Sequence, residues 1–195
     1  MTRKINHLKL NTSENVYPPR EDSLLLAGAV SGEVEPDDEV LEIGCGSGLV
    51  SLTAARKAKK VKAVDINPEA VELTRENAEL NRLENIETAE SDLFENVEER
   101  FSLILFNPPY LPTEDNIQGS EQWSGGKDGR EVIERFIEEL DEHLKEGGRA
   151  LLLISSLTGE EEVEEMIEKK QFKVEVVAER KVTWEKLFVL KIERQ

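Results

Sequence analysis

Val40–Gly48 reads VLEIGCGSG, an apolar stretch that runs into a glycine-rich turn. Glycine lets the backbone turn tightly and exposes atoms that a Cβ would shield, and a helix that begins after such a turn presents unpaired N–H groups. The segment therefore predicts a strand, a turn across which a cofactor can lie, and a helix. Its spacing, G-x-G-x-G, differs from the G-x-G-x-x-G that places a pyrophosphate at a helix start. A tight turn without a ligand is the structural alternative.

Outward from this turn, short apolar runs alternate with amphipathic stretches, a pattern typical of βαβ units and a mostly parallel sheet. The predicted strands are Glu39–Ile43, Val61–Asp65, Ile86–Glu90, Phe101–Phe106, Arg149–Ile154, Phe172–Glu179 and Lys186–Ile192. The predicted helices are Glu21–Val30, Leu49–Lys59, Pro68–Asn81, Arg130–Lys145 and Gly159–Lys169. Pro68 suits a first helical turn, and Gly147 with Gly148 predicts a helix stop.

The last two predicted strands follow each other without a helix, so they are expected to form an antiparallel hairpin. The fold class is therefore α/β and Rossmann-like. It has a seven-stranded, mostly parallel sheet with an antiparallel C-terminal hairpin, and helices on both faces.

Length and composition favour one domain over residues 1–195, since 38% of the residues are hydrophobic and can build a sizeable core. The longest apolar runs, such as Ala150–Ile154, are too short to span a bilayer, and Met1–Leu10 has no signal-peptide core. We therefore expect a cytoplasmic protein without membrane contact. Cys45 is the single cysteine and only two histidines accompany it, which disfavours disulfides and a metal site.

The formal net charge is −17, from 42 acidic and 25 basic residues. Nucleic-acid-binding proteins usually carry a basic patch that displaces counterions, so direct nucleic-acid binding is disfavoured, although a partner subunit could supply positive surface. Leu111–Gly129 contains four glycines and Pro112 and interrupts the strand–helix alternation. A long irregular segment of this kind predicts a substrate-facing loop over 111–129, with a flexible insertion as the alternative.

Two acidic residues follow neighbouring predicted strands. Asp65 closes the second strand, where a carboxylate can accept hydrogen bonds from both hydroxyls of a nucleoside ribose. It could also be an acid at a helix N-terminus, because Asn67 and Pro68 follow. Asp92 follows the third strand and could accept a hydrogen bond from the exocyclic amine of an adenine, with a helix N-cap as the alternative.

The fourth predicted strand ends in Asn107-Pro108-Pro109-Tyr110. Proline lacks an N–H and holds the preceding residue extended, so the carbonyl groups near Asn107 and Pro108 remain available as acceptors. The Asn107 side-chain oxygen and one of these rigid carbonyl groups form a fork of two acceptors for an NH₂ group. Tyr110 offers a flat face for a planar amide or a base. An ordinary proline turn at a strand end is the alternative.

With these motifs, the chain resembles the class I S-adenosylmethionine-dependent methyltransferases. Within them it is most similar to the short archaeal and eukaryotic branch of the HemK/PrmC family of protein glutamine-N5 methyltransferases. The segments that carry the resemblance are Tyr17–Ser23 (YPPREDS), Glu42–Gly48 and Leu105–Pro112 (LFNPPYLP), with Gly125–Arg130 as a further similar stretch. The similarity extends from about Val16 to the C-terminus. The Leu105–Pro112 segment is shared with enzymes that methylate the amines of nucleic-acid bases. The Tyr17–Ser23 segment is the one that narrows the resemblance to this family.

The resemblance implies S-adenosylmethionine as the cofactor, S-adenosylhomocysteine as its product, and no metal. It implies that residues 1–35 form a cofactor-covering segment and helix. The implied cofactor contacts are Tyr17, Ser23, Glu42, Gly44, Gly46, Asp65, Ile66, Asp92, Leu93 and Asn107. The implied catalytic residues are Asn107, Pro108, Pro109 and Tyr110.

By the same resemblance, the acceptor is the glutamine side-chain amide in the Gly-Gly-Gln loop of a class I translation termination (peptide chain release) factor. The family also implies a chain without the long N-terminal helical domain of bacterial members, and a small zinc-binding activator subunit paired to a sheet edge, for which Ile86–Ala89 is the candidate. The alternatives are a nucleic-acid amine methyltransferase acting on adenine or guanine, and a protein lysine methyltransferase. A non-catalytic scaffold would be expected to have lost Asp65 or Asn107.

Overall fold

The computed structural model describes residues 2–5, 7–109 and 130–195. Its strands are β1 (Thr2–Ile5), β2 (Leu8–Asn11), β3 (Glu39–Ile43), β4 (Lys60–Asp65), β5 (Ile86–Glu90), β6 (Phe101–Phe106), β7 (Leu144–Ser155), β8 (Phe172–Lys181) and β9 (Lys186–Arg194). Its helices are α1 (Glu21–Glu33), α2 (Leu49–Ala55), α3 (Pro68–Leu80), α4 (Glu131–His143) and α5 (Glu160–Lys169).

Seven strands in these ranges form one sheet in the order β5-β4-β3-β6-β7-β9-β8. Strands β3 to β7 run parallel, and β9 runs antiparallel between β7 and β8. The chain builds outward from β3 to β5 and then returns to place β6 on the other side of β3. Ligands of such sheets bind beyond the carboxyl ends of the strands at this switch point. The predicted fold class is confirmed.

Helices cover both faces of the sheet because successive strand residues point to opposite sides. Leu103 of β6 packs into one core cluster with Leu26 of α1 and Leu52 of α2. Ile104, the next residue, packs into a second cluster with Phe136 of α4, and α5 contributes to the same cluster. The two apolar layers hold the central strands in register and so fix where their carboxyl ends meet.

A second, two-stranded sheet of β1 and β2 was not predicted. Leu8 and Leu10 of β2 are buried in the same cluster as α1 and α2. Four residues are too few for a clear alternating pattern, and the burial depends on helices that lie far along the chain. The N-terminal segment is therefore anchored to the domain by a hairpin that leads towards Tyr17.

Three predicted helix ends were wrong. Helix α1 continues to Glu33, although it was predicted to end at Val30. Gly147 and Gly148 do not stop a helix: α4 ends at His143, and Leu144 already pairs with Phe101 and is fully buried. Gly147, with a φ of 69°, lies where the register between β6 and β7 shifts. Helix α2 ends at Ala55, because the Asn85 side chain donates hydrogen bonds of 2.9 Å to the carbonyl oxygens of Ala55 and Ala58.

Candidate active site

A cavity of about 280 Å³ lies beyond the carboxyl ends of β3, β4 and β6. The predicted site residues that line it are Tyr17, Ser23, Glu42, Gly44, Gly46, Asp65, Ile66, Asp92, Leu93, Asn107, Pro108 and Pro109. They come from five separate stretches of the chain, which the switch in strand order brings together. Tyr110 and the predicted substrate-facing loop at 111–129 lie outside the described residues.

The glycine turn after β3 is held from outside the turn by α3. The Thr74 hydroxyl donates a hydrogen bond of 3.1 Å to the Gly46 carbonyl oxygen, and the Asn77 amide donates one of 2.9 Å to the Ser47 carbonyl oxygen. Gly48 needs to be glycine, because its φ is 82° and an added Cβ would lie 2.8 Å from Leu52 Cδ1. The turn is therefore a rigid floor for the cavity.

Asp65 spans the gap between the glycine turn and α3. One carboxylate oxygen accepts the Gly46 N–H at 2.9 Å, and the other accepts the Asn67 N–H at 2.9 Å. Burial raises the pKa of this carboxyl above its ordinary value. Asp65 does not cap α3, since the Asn67 side chain accepts the Glu69 N–H and Pro68 fills the first turn, as predicted for Pro68. The carboxylate instead faces the cavity with lone pairs to spare.

Glu42 lies in the wall of the cavity and is almost completely buried. The Ser51 hydroxyl donates a hydrogen bond to it. Desolvation by burial raises the pKa of Glu42 from 4.5 to about 8, and the nearby charge of Asp65 adds to the rise. Without a bound cation, the Glu42 carboxyl is therefore mostly neutral at pH 7.

Asp92 is paired with Arg135 at the rim of the cavity. The guanidinium of Arg135, on α4, donates a hydrogen bond of 3.0 Å to one Asp92 oxygen. The N-cap alternative is wrong, because no helix follows Asp92 within the described residues 91–100. Sequence reasoning missed Arg135, which lies 43 positions from its partner and carries no local signal.

The side-chain oxygen of Asn107 is buried and has no hydrogen-bond partner within the described part of the chain. Buried polar atoms in native proteins are nearly always paired, and an unpaired one calls for a functional explanation. The Asn107 backbone oxygen lies near Gly44, 3.8 Å from the position of an added Cβ. The strand end that carries Asn107 and the glycine turn thus lie side by side in the cavity wall.

Comparison with known proteins identifies the domain. The family model described as methyltransferase small domain matches residues 20–184. The chain belongs to this methyltransferase family. No helix in the described part of the chain has the length and apolar character needed to cross a membrane.

Two relatives of this chain carry the names of methyltransferases. A Methanocaldococcus jannaschii protein named as a protein N5-glutamine methyltransferase is 49% identical over 97% of this chain and 98% of its own length. The human methyltransferase HEMK2 is 32% identical over 95% of this chain and 92% of its own length. The predicted HemK/PrmC membership is confirmed, and the chain is an S-adenosylmethionine-dependent methyltransferase.

A solved structure supports the same relationship. The complex of Mtq2 and Trm112 from E. cuniculi, responsible for methylation of the translation termination factor eRF1, contains a chain that superposes on this methyltransferase with a TM-score of 0.76. The two chains are 27% identical over 93% of this chain and 99% of that one.

The N-terminal segment of the methyltransferase contributes a hydrogen-bonded group to the cavity wall. The Tyr17 hydroxyl donates to one oxygen of Asp22 at 3.1 Å, and the Ser23 N–H donates to the other at 2.6 Å. Burial, followed by the charge of Asp22, raises the pKa of Tyr17. Asp22 was not predicted as a site residue, although it lies inside the YPPREDS segment. The sequence signal that could have identified Asp22 was its spacing from Tyr17, which precedes α1, and from Ser23, in the first turn of α1.

Proposed function

We propose that this methyltransferase methylates the side-chain amide nitrogen of the glutamine in the Gly-Gly-Gln loop of a class I translation termination factor. The observation that carries the proposal is the buried side-chain oxygen of Asn107 at the cavity, which has no hydrogen-bond partner among the described residues. A buried acceptor without a partner is costly by about 1–3 kcal/mol, and an incoming N–H group would relieve that cost. A primary amide brings two N–H groups and a planar shape.

In this proposal the chain acts by positioning the acceptor. The amide nitrogen is a poor nucleophile because its lone pair is delocalised into the carbonyl. The Asn107 side-chain oxygen and the Pro108 carbonyl each accept one N–H, which turns the lone pair towards the methyl group. Positioning of this kind can supply several kcal/mol without a strong base. When bound, S-adenosylmethionine would supply the methyl group to this nitrogen and leave as S-adenosylhomocysteine, and the nitrogen would release one proton to water.

Two further residues of the motif complete the acceptor site. Pro109 lines the cavity and keeps the strand end rigid, because its ring fixes φ and it has no N–H to donate. Tyr110, which lies outside the described residues, is proposed to supply the flat face for the amide plane. The loop at 111–129, also outside the described residues, is proposed to face the substrate.

The charge of the cavity fits S-adenosylmethionine, which supplies an electrophilic methyl group on a positively charged sulfur. Among the described residues, the lining includes the acidic side chains Asp22, Asp65 and Asp92, the mostly neutral carboxyl of Glu42 and one basic side chain, Arg135. A cationic ligand is favoured in such a wall. The same charge distribution favours binding of the cationic cofactor over its neutral product, S-adenosylhomocysteine. It therefore assists the replacement of the product by new cofactor after each reaction.

We propose individual roles from the position of each side chain in the cavity wall. Asp65 would accept the ribose hydroxyls, and Asp92, held by Arg135, would accept the adenine amine. Ile66 exposes 58% of its surface beside Asp65 and, with Leu93 opposite, would contact the adenine ring. Gly44 and Gly46 leave the floor open for close approach. Residues 1–35 would cover the cofactor with Tyr17 and Ser23, within a single domain over 1–195.

We also propose a small zinc-binding activator subunit as a partner, paired to the β5 edge. Strand β5 lies at the end of the sheet, where its outer backbone groups can accept an additional strand. The related solved structure is a two-protein complex. Because the proposed substrate acts in translation, we place the enzyme in the cytoplasm.

The test is methyl transfer from labelled S-adenosylmethionine to a purified archaeal termination factor, with total tRNA and DNA assayed in parallel. Each substrate is tested with and without a co-expressed zinc-binding activator. The expected result is label on the factor that disappears when the glutamine of its Gly-Gly-Gln loop is changed. Label on nucleic acid alone, or on a lysine of the factor, would overturn the substrate assignment.

A further inference from the structure

Two exposed apolar side chains lie at the same end of the sheet as the cavity. Trp184, in the turn between β8 and β9, is 90% exposed, and Leu157, in the loop after β7, is 50% exposed. Neither contributes to the methyl-transfer site described above. Large apolar side chains held in solvent next to a site are typical of surfaces that contact a partner.

The two segments are fastened together, so the Leu157–Trp184 pair is a fixed surface. The Ser156 N–H donates to the Lys186 carbonyl oxygen at 2.8 Å, and the Lys186 N–H donates to the Ser156 hydroxyl at 3.0 Å. The Ser155 hydroxyl also donates a hydrogen bond to Glu185. On the other side, Arg130 donates to the Thr158 carbonyl oxygen at 2.7 Å, at the start of α4, whose Val132 and Arg135 line the cavity.

The pair lies close to the acceptor site. Asn107 follows β6, and the turn holding Trp184 precedes β9, two strands further along the sheet. Neighbouring strands are spaced by about 4.8 Å, so the sideways separation is about 10 Å. The charge of Glu185, next to Trp184, is near enough to contribute to the raised pKa of Tyr17 in the cavity wall.

We propose that the Leu157–Trp184 pair is a docking surface for the folded protein substrate around its acceptor loop. This inference rests on the proposed function. The cavity takes a cofactor and one side chain, so the rest of a protein substrate must lie outside and contact the rim within reach of Asn107. Tryptophan is enriched among the residues that dominate binding at protein interfaces. The net charge of −17 favours a protein over a nucleic acid as the occupant.

The test compares steady-state kinetics of Trp184→Ala and Leu157→Ala with the wild-type enzyme. The control is Leu80→Ala, which removes a 39% exposed leucine at the last position of α3, towards the opposite edge of the sheet. The substrates are a full-length termination factor and a short peptide that spans its Gly-Gly-Gln sequence. Trp184→Ala is expected to raise KM for the factor about tenfold with kcat nearly unchanged, since interface tryptophans often contribute this much. KM for the peptide and for S-adenosylmethionine should stay at the wild-type value.

The outcomes separate this inference from the proposed function. If the wild-type enzyme does not methylate the factor, the proposed function fails. If the wild type methylates the factor but Trp184→Ala behaves like Leu80→Ala, the docking surface is overturned and the proposed function stands. The docking surface is also overturned if Trp184→Ala raises KM equally for the factor and the peptide. It is likewise overturned if Trp184→Ala loses co-purification with the activator subunit, or if its KM changes only with tRNA.

Discussion

Asn77 donates a hydrogen bond of 2.9 Å from its side-chain amide to the carbonyl oxygen of Ser47, in the glycine turn. The same side chain accepts the Asn11 N–H at 2.7 Å and donates to the Asn11 carbonyl oxygen at 3.0 Å. One helical turn later, Asn81 makes the same exchange with Lys9. Four helical residues rise about 6 Å and two strand residues about 6.6 Å, so the two side chains match the repeat of β2. Helix α3 therefore joins the N-terminal hairpin to the turn under the cavity.

Asn77→Ala is expected to lower the free energy of unfolding by about 1–3 kcal/mol, because it leaves buried backbone groups unpaired. It should also raise the Kd for S-adenosylmethionine severalfold by releasing the glycine turn. The matched control is Asn81→Ala, whose half-buried side chain bonds β2 but not the turn, and which should keep the wild-type Kd. Urea denaturation and calorimetric titration of the cofactor measure both effects. Equal losses of cofactor affinity in the two variants would contradict the role given to Asn77.

Asn107→Ala is expected to reduce kcat by about 10²-fold or more, because misplacing the acceptor by an ångström is enough for a loss of that size. The Kd for S-adenosylmethionine should change little, since the Asn107 side-chain oxygen is assigned to the acceptor. Single-turnover methylation and cofactor titration separate the two quantities. A variant that lost cofactor affinity and kept its single-turnover rate would show that the assignment is wrong.

Asp65→Ala is expected to raise the Kd for S-adenosylmethionine by about 10- to 100-fold, because hydrogen bonds to a charged group contribute about 1.5–3 kcal/mol. Asp65→Asn, which retains one acceptor oxygen, should have a Kd between those of Asp65→Ala and the wild type. Binding is measured well below the melting temperature, because Asp65 also accepts two backbone N–H groups. If Asp65→Ala reduced only kcat at saturating cofactor, the division of roles between Asp65 and Asn107 would not hold.

Gly48→Ala is expected to lower the free energy of unfolding by about 2 kcal/mol or more. Its φ of 82° disfavours a side chain, and the new Cβ would lie 2.8 Å from Leu52 Cδ1 and 3.0 Å from Thr74. The matched control is Gly28→Ala in α1, where none of the described atoms lies within 4 Å of the new Cβ and alanine favours the helix by about 0.5–1 kcal/mol. Thermal unfolding of both variants should give shifts of opposite sign.

Glu42 makes stability fall as pH rises. Burial raises its pKa to about 8 in the folded protein, from an ordinary value of 4.5. Between these values the folded state holds a proton that the unfolded state has lost, so the free energy of unfolding decreases with rising pH across this window. Glu42→Gln stays neutral, and its stability relative to the wild type should therefore increase by roughly a few kcal/mol between pH 4.5 and 8. Urea denaturation at several pH values tests this; a constant difference would contradict it.

Local patterns predicted most of the fold. The strands β3 to β9 and all five helices described were expected at their observed places, because apolar periodicity and breakers act over a few residues. Two of the boundaries that were wrong depend on distant partners: Asn85 ends α2, and pairing of Leu144 with Phe101 starts β7. The β1–β2 hairpin was missed for the same reason, since its burial is supplied by helices that follow it.

The candidate site divides in the same way. Three features depend only on neighbours in the chain: glycines that must adopt positive φ, a proline pair that removes N–H donors, and acids at strand ends. These features alone predicted a cofactor turn and an acceptor fork. Other features join residues that are dozens of positions apart in the chain. They are the Asp92–Arg135 pair, the hydrogen bond from Asn77 to Ser47, and the position of Trp184 at the cavity end of the sheet. Sheet order and helix packing place such residues together, because burial of the two apolar layers sets the register of the whole sheet. That long-range balance has no signature in any short stretch of the chain.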